Sequence, residues 1–249
     1  MRALVPMGPT MPHAWTDEID AAARAHAVEL FPKEAAGIVI NGQFEPLENL
    51  SETDEDDVLL SEADLLRVAE AQVFFHSHPN GLGSPSAHDM TYQQQLGIPF
   101  VILALPDADM FAFGDQLAPA PLIGRGFRHG VQDCYGLMRD WWRQRGVDLP
   151  DYPRDWSWWL KGQNLYQENF EAAGFQRIDP ALAHQEGDVL LFNFNHKVPM
   201  HGGLVMPGGL MLHHAAGIKA VDPTRLSAMV PRIRYQPHIS MALRRTHAA

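Results

Sequence analysis

His76 and His78, followed by Ser86 and Asp89, have the residue types and spacing to hold a metal ion. In an extended strand, residues two apart project from the same face. The two imidazoles can therefore offer nitrogens to one ion, and Asp89 returns from the following loop or helix start with a carboxylate. Two imidazoles and a carboxylate leave one position of a tetrahedral site open for water, which marks a catalytic zinc rather than a structural one. Glu34 lies in Pro32–Ile40, just ahead of an apolar strand. It is placed to take a proton from that water and pass it to a leaving amine. The Ser86 hydroxyl can hydrogen-bond a developing oxyanion or the water. His88 falls inside the spacing without a role in it and reads as a surface residue.

A second set centres on Cys134, the only cysteine, which excludes a disulfide framework within the chain. A helix is expected from Gln132 or Asp133 to about Gly146, with Leu137, Met138, Trp141 and Trp142 on its apolar side. Cys134 then falls in the first turn, where the helix dipole favours a thiolate. A cysteine nucleophile needs a base. His201 and His213 stand nearly symmetric about Pro207, so an antiparallel hairpin brings them to one face. His201 can deprotonate Cys134, and His213 can fix the tautomer of His201 as the third member of a triad does. His214 is offset by one residue. His213 is favoured because it alternates with Met211 along the strand.

The elements that position these groups are legible too. Asp17–Leu30 has helical periodicity, and Gly37–Ile40 with Asn41-Gly42 reads as a strand and hairpin turn. Ser51–Asp57 is an acidic loop, and Asn49-Leu50-Ser51, a glycosylation-type triplet, reads as loop as well. Ser61 is a helix cap with Glu62 and Asp64 behind it. Val73–Phe75 leads into His76, and Pro99–Ala104 and Met110–Phe113 are further strands. Leu117–Gly124 has two prolines and no periodicity, which suggests a linker over 118–125 between domains at 1–117 and 126–249. The crowded tryptophans, Trp141, Trp142, Trp156, Trp158 and Trp159, are expected in a core or interface rather than stacked on sugars.

Bulk properties set limits. With 249 residues, 46% hydrophobic and 20% charged, the chain describes one large or two ordinary globular domains. No apolar run approaches the ~20 residues of a membrane helix. The first fifteen residues lack the continuous apolar core of a secretory signal. A net charge of −11 argues against nucleic acid as the main partner and gives no steering toward an anionic polymer.

Glu34, His76, His78, Ser86 and Asp89 together resemble the JAMM motif of MPN-type metallopeptidases. Asp133-Cys134-Tyr135-Gly136-Leu137, Gly187-Asp188 and His201-Gly202-Gly203 resemble the NlpC-type cysteine endopeptidases of bacterial cell walls, although Tyr135 stands where those usually have Ser. The resemblance implies an α/β (α+β) protein: a cytidine-deaminase-like JAMM/MPN domain, then a small papain-like NlpC-type domain. It implies Zn2+ as cofactor, amide or isopeptide hydrolysis in the first half, and thiol-dependent cleavage of peptidoglycan stem peptides in the second. The tandem is similar to a family of tail-tip assembly proteins of long-tailed phages. That implies tail-tip proteins as partners and a place in the host cytoplasm during assembly or at the virion tail tip. A structural or assembly role with binding rather than catalytic sites is the competing expectation. An isopeptidase acting on a protein modifier is a further one for the zinc half.

Overall fold

A computed structural model describes residues 10–51, 58–183 and 185–246. Most of the expected acidic loop, residues 52–57, lies outside them. The chain forms two compact units that meet at Ala120 and Pro121. Both mix sheets with helices, so the molecule is α+β overall. No helix among the described residues is long and apolar enough to cross a membrane.

In the first unit, helix α1 (Asp17–Leu30) starts at Thr16, whose side chain accepts from the Ile19 amide. Strands β1 (Ala36–Ile40) and β2 (Gln43–Leu47) form the expected hairpin about Asn41-Gly42. Asn41 and Gly42 both have positive φ, which suits these residue types in a two-residue turn. Helix α2 (Glu62–Ala69) is capped by Ser61. Strand β3 (Val73–His78), helix α3 (Ala87–Leu96), strand β4 (Phe100–Ala104) and strand β5 (Asp109–Phe113) follow. The sheet order is β2-β1-β3-β4-β5, with β3 and β4 parallel and the other pairs antiparallel.

Strand alternation sorts β3 into two faces. Val73 and Phe75 pack with Val101, Leu103 and Ala112 against Ile19, Ala23 and Ala27 of α1. Phe74, His76 and His78 take the other face, where Phe74 meets Phe100 and Tyr92, the latter from α3. The fully buried strand thus holds an apolar face against α1 and turns its histidines toward α3. Gly37 is required by a close approach: a Cβ there would come within 2.5 Å of the Phe44 ring. That ring packs edge-on against Phe75.

The second unit contains β6 (Gly126–Arg128), α4 (Cys134–Arg143), α5 (Leu165–Asn169), β7 (Phe175–Ile178), β8 (Val189–Phe192), β9 (His201–Met206), β10 (Leu210–His213), β11 (Val221–Leu226), β12 (Ala228–Pro231) and β13 (Ile239–Arg245). Six strands form one antiparallel sheet in the order β12-β10-β9-β8-β13-β7, and β11 and β6 form a ribbon. Helix α4 ends at Arg143, three residues short of the expected Gly146. Its apolar face (Leu137, Met138 and Trp141) packs with Val189, Leu191, Leu204 and Leu212. The expected linker is not loose at its C-terminal end. Leu122 packs against this core. Arg125 is 1% exposed, donating to the Pro121 carbonyl and pairing with Asp140, while its amide donates to Ser227. The side chain of Arg125 has burial and partners that the proline pattern does not reveal.

Candidate active sites

In the first unit, α3 begins with a reciprocal cap. The Ser86 hydroxyl accepts from the Asp89 amide at 3.0 Å, and the Ser86 amide donates to Asp89 Oδ2 at 2.7 Å. The Ser86 hydroxyl also donates to Asp89 Oδ2 at 2.8 Å. The Ser86 hydroxyl thus holds the Asp89 carboxylate as well as capping α3. The cap aims Asp89 at β3, with Oδ1 3.1 Å from His76 Nε2 and Oδ2 3.4 Å from His78 Nε2. The two Nε2 atoms are 3.1 Å apart. His78 Nδ1 donates to the Leu82 carbonyl at 2.7 Å, which leaves its Nε2 as the lone-pair side.

Burial disfavours the His76 cation and lowers its pKa. Burial works against the His78 cation as well, but hydrogen bonding and charge from Asp89 reverse it and raise that pKa. For Asp89, burial favours the neutral acid. The His76 charge and bonds to both rings overrule burial and hold the carboxyl well below the usual range. Three donor atoms, one from each residue, lie within 4.8 Å of one another. Two imidazole nitrogens and a carboxylate converging at a buried point suit a zinc ion by donor chemistry.

Glu34 is buried and reaches this site by register. Ala36 pairs with His76, and the Ser77 amide donates to the Ala35 carbonyl, so Glu34 falls beside His78. Its charge contributes to raising the His78 pKa. Asn49 explains the loop behind it. Its side chain donates to the Glu34 carbonyl at 3.1 Å and accepts from the Ser51 and Leu59 amides. His88 stacks on Tyr92.

In the second unit, Cys134 is the first residue of α4 and Asp133 is its cap, accepting from the Gly136 amide at 2.8 Å. Asp133 also accepts from the Gly130 amide and from Arg154, whose Nε lies 2.9 Å from Oδ2. Arg154 continues to Asp151 at 2.8 Å. Burial raises the Asp133 pKa, but the Arg154 charge, together with further charge and hydrogen bonds from Arg154 and the Gly136 amide, outweighs it and keeps the carboxyl ionised. The Cys134 sulfur lies 3.3 Å from the Tyr166 hydroxyl and accepts from the Gly202 amide. Burial, then the Asp133 charge, push the thiol up to about 11. That direction runs against the expectation of a thiolate at neutral pH, with the cysteine half-buried at the helix start.

His201 and His213 lie on adjacent antiparallel strands, His213 pairing with Gly203 and so standing diagonally from His201. His201 Nε2 and His213 Nδ1 are 3.2 Å apart. Burial, then His213 and His214, push the His201 pKa down to about 3, so the ring is neutral. His214 turns elsewhere, donating from Nε2 to the Arg225 carbonyl at 2.9 Å and packing edge-on against Phe127. Cys134, His201 and Tyr166 line one cavity of about 150 Å³. Trp156, Trp158 and Trp159 share that lining, whereas Trp141 belongs to the apolar core. Sequence reasoning missed Arg154 and Tyr166. Neither lies in a recognisable spacing from Cys134, and only the folding back of residues 150–170 brings them there.

Residues 16–114 match a family model described as prokaryotic homologs of the JAB domain, and residues 124–236 match the NlpC/P60 family. NlpC/P60 is a cysteine peptidase family and the JAB domain is related to peptidases, so fold and sites define a protein that joins these two domain types. The chain is 40% identical over 145 residues to tail tip assembly protein K of Escherichia phage lambda, covering 58% of this chain and 70% of that one. It is 30% identical over 203 residues to tail tip assembly protein K of Escherichia phage N15, covering 78% and 82%. The chain belongs to the tail tip assembly protein K family. A solved NlpC/P60 family protein from Bacillus cereus aligns with 89% of this chain and 66% of its own at 14% identity, with a TM-score of 0.32.

Proposed function

We propose that this tail tip assembly protein is a two-centre peptidase. Its second unit cleaves peptidoglycan stem peptides through Cys134, and its first unit is a zinc-dependent amide or isopeptide hydrolase. Both serve tail assembly in the host cytoplasm and wall penetration from the tail tip. The observation that carries the reading is the meeting of Cys134 and His201 in one cavity, with His213 bonded behind His201.

The protonation states favour general-base catalysis over a preformed ion pair. A neutral His201 takes the proton of a neutral thiol as the sulfur attacks the amide carbon, and later gives it to the leaving nitrogen. His213 holds His201 Nε2, which leaves Nδ1 for the proton in transit. Asp133 and Arg154 fix the start of α4 and with it the sulfur.

In the first unit, His76, His78 and Asp89 would hold the zinc, which supplies Lewis acidity and a water made acidic enough to attack. Glu34 serves as the base that receives and relays the proton. Ser86 acts indirectly, by orienting Asp89.

The test is muropeptide analysis of purified cell walls digested by wild type and by Cys134→Ala. Fragments released by the wild type alone support the reading. Identical profiles sink it and leave the cysteine unit as an assembly or binding module.

A further inference from the structure

We propose that Tyr166 is a catalytic residue of the cysteine centre. Its hydroxyl donates a hydrogen bond to the Cys134 sulfur as the thiol gives up its proton, and to the substrate carbonyl oxygen as that atom takes up charge. The proposal rests on the cysteine-peptidase reading above. Four observations carry it.

The hydroxyl already touches the reacting atom, 3.3 Å from the sulfur. It is a donor at working pH, because burial and the adjacent sulfur keep the phenol protonated far above neutrality. Other side-chain donors are engaged elsewhere: Arg154 is bound to Asp133 and Asp151, and neutral His201 is bonded to His213. Finally, the surroundings hold the ring in place. Trp158 and Tyr135 pack against it at centroid distances of 6.0 and 6.2 Å. Gly202 leaves the room it needs, since a Cβ there would lie 3.2 Å from the hydroxyl and 2.8 Å from Met138 Cε.

The chemistry balances with Tyr166 keeping its own proton. The S–C bond forms, the carbonyl π pair moves to oxygen, and the thiol proton goes to His201. Collapse breaks the C–N bond, and the His201 proton leaves with the amine. Water then cleaves the thioester, giving the carboxylic acid and regenerating the thiol. In the tetrahedral adduct the charged oxygen is one carbon away from the sulfur, so a small rotation carries the hydroxyl from one to the other. Donors preorganised where charge develops give large rate effects.

The test uses the full-length chain, with Tyr166→Phe keeping the ring against its neighbours. On purified cell walls, the variant should release fragments about 10²-fold more slowly than wild type, the loss expected from removing one such donor. Iodoacetamide alkylation between pH 7 and 9 needs no substrate, and its rate should fall about tenfold at each pH, as loss of one hydrogen bond to a developing charge predicts. Wild-type alkylation by Tyr166→Phe would overturn the proposal. So would wild-type wall digestion by this variant where Cys134→Ala is inactive, and the peptidase reading would then survive. Equal digestion by wild type and Cys134→Ala would instead overturn the peptidase reading itself, and this proposal with it.

Discussion

At Cys134, burial and one neighbouring carboxylate work against the helix end. Its first-turn position favours the thiolate, yet burial and Asp133 push the thiol up to about 11. Alkylation by iodoacetamide should therefore be slower at pH 7 than that of a thiol of ordinary pKa ~8.5, and should climb about tenfold per unit from pH 7 to 9 without a plateau. A plateau in that range would show the sulfur to be ionised already. His201 and His214 carry the opposite shift, down to about 3 and about 4. Their folded pKa values lie below the unfolded value of ~6.5, so the unfolded state binds more protons between these limits. The stability they contribute is present above pH ~6.5 and is lost as pH falls toward 4 and then 3. Denaturant titrations at pH 7, 5.5 and 4.5 should show this decline, and His214→Gln should soften it. A wild-type curve that stays flat over this range would contradict the assigned shifts.

At the scale of elements, both candidate sites depend on a helix start. Ser86 caps α3 and fixes Asp89. Ser86→Ala should cost the first unit about 1 kcal/mol and weaken zinc binding by 10- to 100-fold, roughly the effect of losing an outer support of a metal ligand. Calorimetric zinc titration measures it, and unchanged affinity would remove Ser86 from the site. In the second unit, Asp133 caps α4 and is buried against Arg154. Arg154→Met should destabilise by about 3–5 kcal/mol, because a buried carboxylate loses its cation. Asp133→Asn in the Arg154→Met background should recover part of that loss, since the uncompensated charge is gone. Urea unfolding of the three variants decides it.

Across the whole molecule, charge is segregated. Residues 1–120 hold 4 of the 19 Lys and Arg and 19 of the 30 Asp and Glu, while residues 121–249 hold the other 15 and 11. The overall charge of −11 is thus carried by the first unit, and the cysteine unit is net positive. Taken alone, that unit has the sign of charge that attracts an anionic polymer, which the net charge of the whole chain conceals. Two units with separate cores also predict separate responses to metal. Purified protein should bind about one zinc per chain through His76, His78 and Asp89, and His78→Ala should abolish it. Glu34→Gln should keep the metal and lose hydrolysis. In scanning calorimetry, chelator should lower one of two transitions and leave the other in place. One cooperative transition that shifts as a whole would show the units to be thermodynamically merged.

Spacing alone determined where β3, α1 and α4 run and which residues they bring to their ends, because strand and helix periods act over a few neighbours. The pairing of His76 with His78 follows from a period of two. The diagonal approach of His201 and His213 follows from the Pro207 turn. What lay beyond the sequence was set by distant chain returning to the site. Asn49 holds the backbone at Glu34, Arg154 neutralises Asp133, and Tyr166 reaches Cys134 from 32 residues away. The protonation of Cys134 and His201 was beyond it too. Desolvation depends on everything that packs around a group, and no local pattern records how completely the fold excludes water there.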